Sequence, residues 1–223
     1  MALINRRLGI VFTAAPGTGS TSLLDLLHRL PGSEQVPDAD HVIDGVTVLD
    51  AKHATVAELD SAGVLDAAGR GGLRIVTSTR NPFDFWPAEW WRTRTRWADL
   101  RDDPDSWVHG QAGMLERIDD AVELPFGAWL EQALGDHARA GRPMHLNHGH
   151  VVEADVVLRM EHVDGDLRSV LGSAALDGMH VPHLNETGGH RPYEQWYDDA
   201  SRALVATVHE PDLSRFGYAF GDG

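Results

Sequence analysis

The sequence contains no cysteine, one lysine, and no apolar run approaching the length of a membrane span. Without cysteine there are no disulfides and no thiolate metal sites, and the composition fits a reducing, cytoplasmic setting. The absence of a long apolar run gives no expectation of a transmembrane helix. Basic residues are outnumbered, with 19 Lys and Arg against 34 Asp and Glu and a formal charge of -15. A general nucleic-acid binder would need a basic face, so that class is set aside. The 13 histidines are scattered and none falls in an H-E-x-x-H or similar spacing, so no metal site is expected. Repeats, low-complexity tracts and linkers are also missing. What remains is a 223-residue chain with 42% hydrophobic and 24% charged residues, sized for one domain with a sizeable core.

The stretch that organises the chain is residues 8–22, LGIVFTAAPGTGSTS. Leu8 to Phe12 is a short apolar run bounded by turn residues, which predicts a buried strand rather than a signal-peptide core. Pro16, Gly17 and Gly19 follow, mixed with Thr18, Ser20, Thr21 and Ser22. Leu23, Leu24, Leu26, Leu27 and Leu30 then repeat at helical spacing until Pro31-Gly32. A strand, a glycine-rich turn and a helix N-terminus together make a phosphate site. The first helical N–H groups lack internal partners, the helix dipole favours an anion, and glycine lets the backbone curl around it. Three readings of the loop stay open. As a nucleotide-triphosphate loop, APGTGSTS has Ser20 where P-x-G-T-G-K-S/T has lysine. As a sulfotransferase phosphosulfate loop, PGTGSTS has Gly17 where P-K-T-G-S-T-S has lysine. The third is a strand, turn and helix with no ligand.

Further strands are expected at Val46–Leu49, Leu73–Thr77 and Val156–Arg159. Thr55 and Glu58 form a capping box for a helix over Val56–Ala67, and Pro82 suits the first turn of another. Helices are expected over roughly 111–122, 126–140, 163–171 and Tyr193–Val208, with 144–150 a polar, histidine-rich turn. Strands alternating with helices indicate an α/β domain whose ligand sits beyond the carboxyl ends of parallel strands. Those ends carry the glycine loop, Lys52-His53 and Arg80.

Four stretches in order resemble the sulfotransferase family that uses 3′-phosphoadenosine 5′-phosphosulfate (PAPS), closest to its carbohydrate-type and bacterial branch. They are PGTGSTSLLDLL at 16–27, KHAT at 52–55, RIVTSTRNPFDFW at 74–86, and a C-terminal half made of RMEHVDGDL at 159–167 and HLNETGGHRPYEQWYDDASRALVATVHEPDLSRFGYAF at 183–220. The C-terminal pattern separates this reading from a nucleotide kinase. The resemblance implies a P-loop-like three-layer sandwich, with a central parallel sheet flanked by helices. It implies a single domain over 1–223, with 98–150 as a helical acceptor-side insertion. It further implies transfer of a sulfuryl group from PAPS to a hydroxyl of a small molecule or carbohydrate, leaving 3′-phosphoadenosine 5′-phosphate (PAP). The alternatives are a sulfotransferase-fold nucleotide-binding protein without turnover, and a P-loop small-molecule kinase.

The resemblance assigns roles to Gly17, Thr18, Gly19, Ser20, Thr21 and Ser22 around the 5′-phosphosulfate, to Arg80 on the 3′-phosphate, and to Gly189, His190 and Arg191 closing over the nucleotide. His53 is the general-base candidate, because an imidazole titrates near neutrality. Asp50, Glu89, His145, His148 and His150 are its rivals. Two positions depart from the pattern: Gly17 replaces the loop lysine, and Ala88 replaces a serine of the 3′-phosphate motif. Losing the loop cation costs on the order of several kcal/mol of transition-state stabilisation, and Lys52 is the candidate substitute. Trp86, Trp90, Trp91 and Trp97, with Arg92, Arg94 and Arg96, are offered for an acceptor pocket or for core. In the tail, Tyr193, Trp196, Tyr197, Val205, Phe216 and Tyr218 are expected to pack.

Overall fold

A computed structural model describes residues 2–43, 46–182, 184 and 192–222. The chain divides into two compact units. The first comprises 2–43, 47–80 and 147–184, and the second comprises 81–146 and the described C-terminal residues from 192. Among the described residues no helix is long and apolar enough to cross a membrane.

The first unit is an α/β unit built on a five-stranded mixed sheet. Its strands are β1 (Ala2–Asn5), β2 (Ile10–Thr13), β3 (Ser33–Val36), β6 (Arg74–Thr79) and β7 (Val156–Arg159), in the spatial order β3-β1-β2-β6-β7. The intervening β4 (His41–Ile43) and β5 (Val46–Leu49) make a separate two-stranded sheet. β2, β6 and β7 run parallel, with Val11 opposite Ile75 and Val76 opposite Val156. β1 is antiparallel to both β2 and β3.

β1 and β2 are buried along their whole length rather than on alternate residues, as expected for a sheet covered on both faces. Ile10 and Phe12 meet Leu23, Leu26 and Leu27 of α1 (Ser20–His28) and Leu167 of α8 (Val163–Leu171). Val11, with Ala2 and Ile4, meets Ala54, Leu59 of α2 (Val56–Ser61), and Leu65 on the other face. That alternation is the period-two rule, and it puts helices on both sides of the sheet.

Four expectations change. The strand expected from Leu8 begins at Ile10 and is the second in the chain, after β1, and Leu8 falls in the turn that joins the two. Gly9 there has φ 66°, and Asn5 Oδ1 accepts from Leu8 N–H at 3.0 Å. The sheet is mixed rather than parallel because this hairpin fills the place beside β2, and a short local turn closes at less entropic cost than a long crossover. Val46–Leu49, expected as a buried strand, is a strand, but it pairs with β4 outside the main sheet and is not buried throughout, since Val48 is 56% exposed. The helix expected over Val56–Ala67 stops at Ser61. Its Thr55–Glu58 capping box is present, and a four-residue helix, α3 (Ala67–Arg70), follows Gly63 with its positive φ.

The second unit is helical. It contains α4 (Pro82–Arg92), α5 (Met114–Glu123), α6 (Phe126–Arg139), α9 (Asp199–Val208) and α10 (Glu210–Phe216). Pro82 stands in the first turn of α4, and the Asn81 side chain accepts from Phe83 N–H. A 3-10 turn at Tyr193–Trp196 precedes α9, which shortens the helix expected over Tyr193–Val208. Its core is aromatic. Trp90 lies edge-on to Trp196 at 5.0 Å and to Phe126 at 5.8 Å, and Phe83 meets Phe220 at 5.2 Å.

Candidate functional site

The carboxyl ends of β2, β6 and β7 share one edge of the first unit. At that edge β2 hands over to the loop Ala14–Gly19, and α1 starts at Ser20. Gly17 and Gly19 adopt φ 72° and 68°, the left-handed region that glycine enters without a Cβ penalty. A Cβ on Gly19 would also overlap the Met160 side chain. The first turn of α1 carries no acidic residue, and its cap, Gly19, makes no side-chain hydrogen bond. The backbone therefore has the curl and the dipole that suit an anion.

The loop hydroxyls do different work from one another. Thr18 is fully buried; its Oγ1 donates to the Ala15 carbonyl at 2.9 Å and lies 2.6 Å from Ser78 Oγ. It therefore braces the loop against β6. Ser22 Oγ accepts from Leu184 N–H at 3.1 Å, Ser20 is buried, and Thr21 is half-buried. What Thr18 offers a ligand is mainly its backbone N–H, whereas the Ser22 N–H already donates to the Gly19 carbonyl at 3.0 Å.

His53 is drawn to the same loop, since its Nδ1 lies 2.7 Å from the Ala14 carbonyl oxygen. A carbonyl only accepts, so Nδ1 carries the proton and Nε2 keeps its lone pair. Burial lowers the His53 pKa, working against the Ala14 bond and the Asp50 charge. Asp50 Oδ1 accepts from Lys52 N–H at 2.8 Å and from His53 N–H at 3.2 Å, which turns the chain after β5. Asp50 is thereby spent as a backbone brace. The Lys52 side chain is exposed. Arg80 is half-buried, one residue past the end of β6 on this edge. Gly189, His190 and Arg191 lie outside the described residues.

Sequence reasoning passed over α7 (His148–Glu153), reading much of it as a turn. Three side chains fasten it to the site. Asn147 Nδ2 donates to the Pro16 carbonyl at 2.9 Å, and His150 Nε2 lies 3.1 Å from the His53 carbonyl oxygen. The Glu153 carboxylate accepts from Val56 N–H at 2.8 Å and Ala57 N–H at 3.0 Å, closing the start of α2. The legible signal was the spacing, N-x-x-H-x-x-E, which places all three on one helical face. Buried and beside His53, His150 has its pKa pushed down to about 4. His148 is exposed.

The remaining rivals sit in the second unit and are engaged there. Glu89 is buried, salt-bridged to Arg92 and, at 2.9 Å, to Arg117. His145 Nδ1 lies 2.9 Å from Asp212 Oδ1, and Asp212, fully buried, also accepts from Leu146 N–H. Trp90 is core, and Arg94 lies over its ring at 4.4 Å. Trp86 donates through Nε1 to His209 Nε2 at 3.0 Å, and Arg92 sits 5.0 Å over Trp97. Trp91 packs against Trp196. Ala88 is buried on α4. In the tail, Tyr193 and Val205 are core, Tyr197 donates to the Phe83 carbonyl, and Phe216 lies 6.0 Å from the Tyr218 ring.

The arrangement in the first unit is thus an anion-suited loop with a neutral imidazole bonded to its first carbonyl. Compared with protein-family models, curated proteins and solved structures, the chain matches none of them.

Proposed function

We propose that this protein is a PAPS-dependent sulfotransferase acting on a hydroxyl of a small molecule or carbohydrate. The observation that carries the reading is the bond between His53 Nδ1 and the Ala14 carbonyl. It sets an imidazole with an available Nε2 lone pair at the root of a glycine loop suited to phosphate. PAPS supplies the sulfuryl group when bound. The backbone N–H groups of Gly17 to Thr21 would bind its 5′ end, and Arg80 would hold the 3′-phosphate as a planar fork. His53 Nε2 takes the acceptor's proton as the acceptor oxygen bonds to sulfur. Lys52, the chain's single lysine, offsets charge on the leaving phosphate. The four ordered sequence stretches support the reaction class, and the geometry supports His53 as the base.

A second reading, a nucleotide-binding protein without turnover, is favoured by one observation. Gly17, where the resemblance places the loop cation, is in a left-handed conformation that a lysine enters only with strain. Calorimetry separates the readings from a kinase. PAP is expected to bind at least tenfold tighter than adenosine 5′-phosphate, and Arg80→Ala to erase most of that gap. Equal affinities in the native protein would sink the assignment. Turnover of PAPS over a panel of hydroxyl acceptors then decides between enzyme and binding module.

A further inference from the structure

His53 is held at several points. Its Nδ1–H donates to the Ala14 carbonyl at 2.7 Å, and its backbone N–H donates to Asp50 Oδ1 at 3.2 Å. Its own carbonyl meets His150 Nε2 at 3.1 Å. Because that partner is a carbonyl, His150 must carry its proton on Nε2. His150 is only 5% exposed, and its Nδ1 is buried with no hydrogen-bond partner among the described residues. An apolar residue would avoid the stranded Nδ1 but leave the His53 carbonyl without this donor, so the Nε2–H bond is what a histidine contributes there. The other end of the helix is fixed as well, through Asn147 on Pro16 and Glu153 on the start of α2.

We propose that His150 is a positioning residue for His53. Its Nε2–H fixes the His53 carbonyl, and with it the orientation of the ring whose Nε2 keeps the lone pair. This rests on His53 being the base of the proposed reaction. Freed from His150, the peptide after His53 rotates, the Cα–Cβ direction swings, and the bond from Nδ1 to Ala14 loosens. A catalytic group displaced by about 1 Å can lose up to roughly a hundredfold in rate, so a small rotation is enough to register. The charged groups acting on the pair are Asp50 and Lys52 near His53, and Glu58 near His150.

The test uses the full chain with 15N-labelled histidine and follows the imidazole tautomers by NMR, beside steady-state kinetics. In the native protein His53 is expected as the Nδ1–H tautomer, and His150 as the Nε2–H tautomer, uncharged down to about pH 5. His150→Phe keeps the ring shape and removes the donor. It is expected to turn His53 into a mixture of tautomers and to lower kcat about tenfold, with acceptor KM and PAP affinity within about threefold. His150→Gln offers an N–H at similar reach and is expected to restore the His53 tautomer and most of kcat. The proposal is overturned if His150→Phe leaves the His53 tautomer and titration unchanged, or if His150→Gln behaves like His150→Phe. It is equally overturned if native His150 is the Nδ1–H form, a result that needs no variant to fold. Absence of turnover in the native protein overturns the sulfotransferase reading alone, and the tautomer of His53 in the variants still decides whether His150 holds it.

Discussion

The carboxylates buried in the second unit and the histidines at the sheet edge of the first are engaged differently, although both units hold buried side-chain atoms with no hydrogen-bond partner among the described residues, Trp90 Nε1, Arg92 Nε, Ser106 Oγ and His137 Nδ1 among those of the second. In the second unit the buried carboxylates are closed on every side. Glu89 is held between Arg92 and Arg117, and Asp212 between His145 and the Leu146 N–H. In the first unit the groups at the carboxyl edge of the sheet are half engaged. His53 has one ring nitrogen committed to Ala14, and His150 has one committed to His53. The Thr13 and Thr79 hydroxyls, at the ends of β2 and β6, are buried without a hydrogen-bond partner among the described residues. A buried polar group closed on all sides stabilises a fold. One left with spare capacity is where water or a ligand completes the bonding. What sets the sheet edge apart is that such groups stand beside a glycine loop suited to an anion, with His53 bonded to its first carbonyl, and the tryptophan- and arginine-rich helical unit has no counterpart among the described residues.

The largest expected effect breaks this contrast at its two poles. His53→Ala is expected to lower turnover by about 10²- to 10⁴-fold with little change in melting temperature or PAP affinity. Asp212→Ala strips the acceptor from His145 and Leu146, and is expected to cost about 3 kcal/mol or more of stability in a urea titration. If Asp212→Ala leaves stability intact, or His53→Ala collapses it, the division into scaffold and site fails.

A pH titration sharpens it further. The folded-state pKa of His150 lies near 4, below the ordinary histidine value, so the folded protein resists protonation that the unfolded chain accepts. Above pH 6.5 both states are neutral there and the contribution is fully present. It is lost as pH falls from about 6.5 toward 4, by about 3 kcal/mol in total. Denaturation of native protein and His150→Phe in parallel is expected to show the native curve falling more steeply over that window. Parallel curves would mean that His150 is not buried as a neutral ring. For His53, also lowered by burial, activity is expected to fall with acid through a pKa below 6.5.

The smallest effect concerns Gly17. At φ 72°, Gly17→Lys places a side chain in left-handed backbone, and is expected to cost about 1 kcal/mol in melting experiments. A gain in turnover despite that cost would say that the native loop lacks its cation. A loss would say that Lys52 already supplies it.

Much of the first unit was legible because its signals are local. The apolar run before the glycine loop, the Thr55–Glu58 capping box and Val156–Arg159 each depend on neighbours a few residues away, as does Pro82 at the start of α4 in the second unit. The Trp and Arg cluster was ambiguous for the opposite reason. One helical face reads the same whether it meets a ligand or Phe126 and Trp196.

By itself the sequence determined the α/β class, the strand, loop and helix order around Gly17 and Gly19, and the candidacy of His53. The first two follow from backbone preference and hydrophobic period, which act within a few residues, and the third from an imidazole's titration near neutrality. Only the tertiary structure decided that β1 rather than β5 lies beside β2, and that Thr18 braces Ser78 instead of facing a ligand. It also decided that α7, nearly a hundred residues beyond His53 in the chain, holds its carbonyl. Strand order and hydrogen bonds between distant segments depend on which surfaces meet when the core closes. A single chain read in order carries no direct record of those meetings.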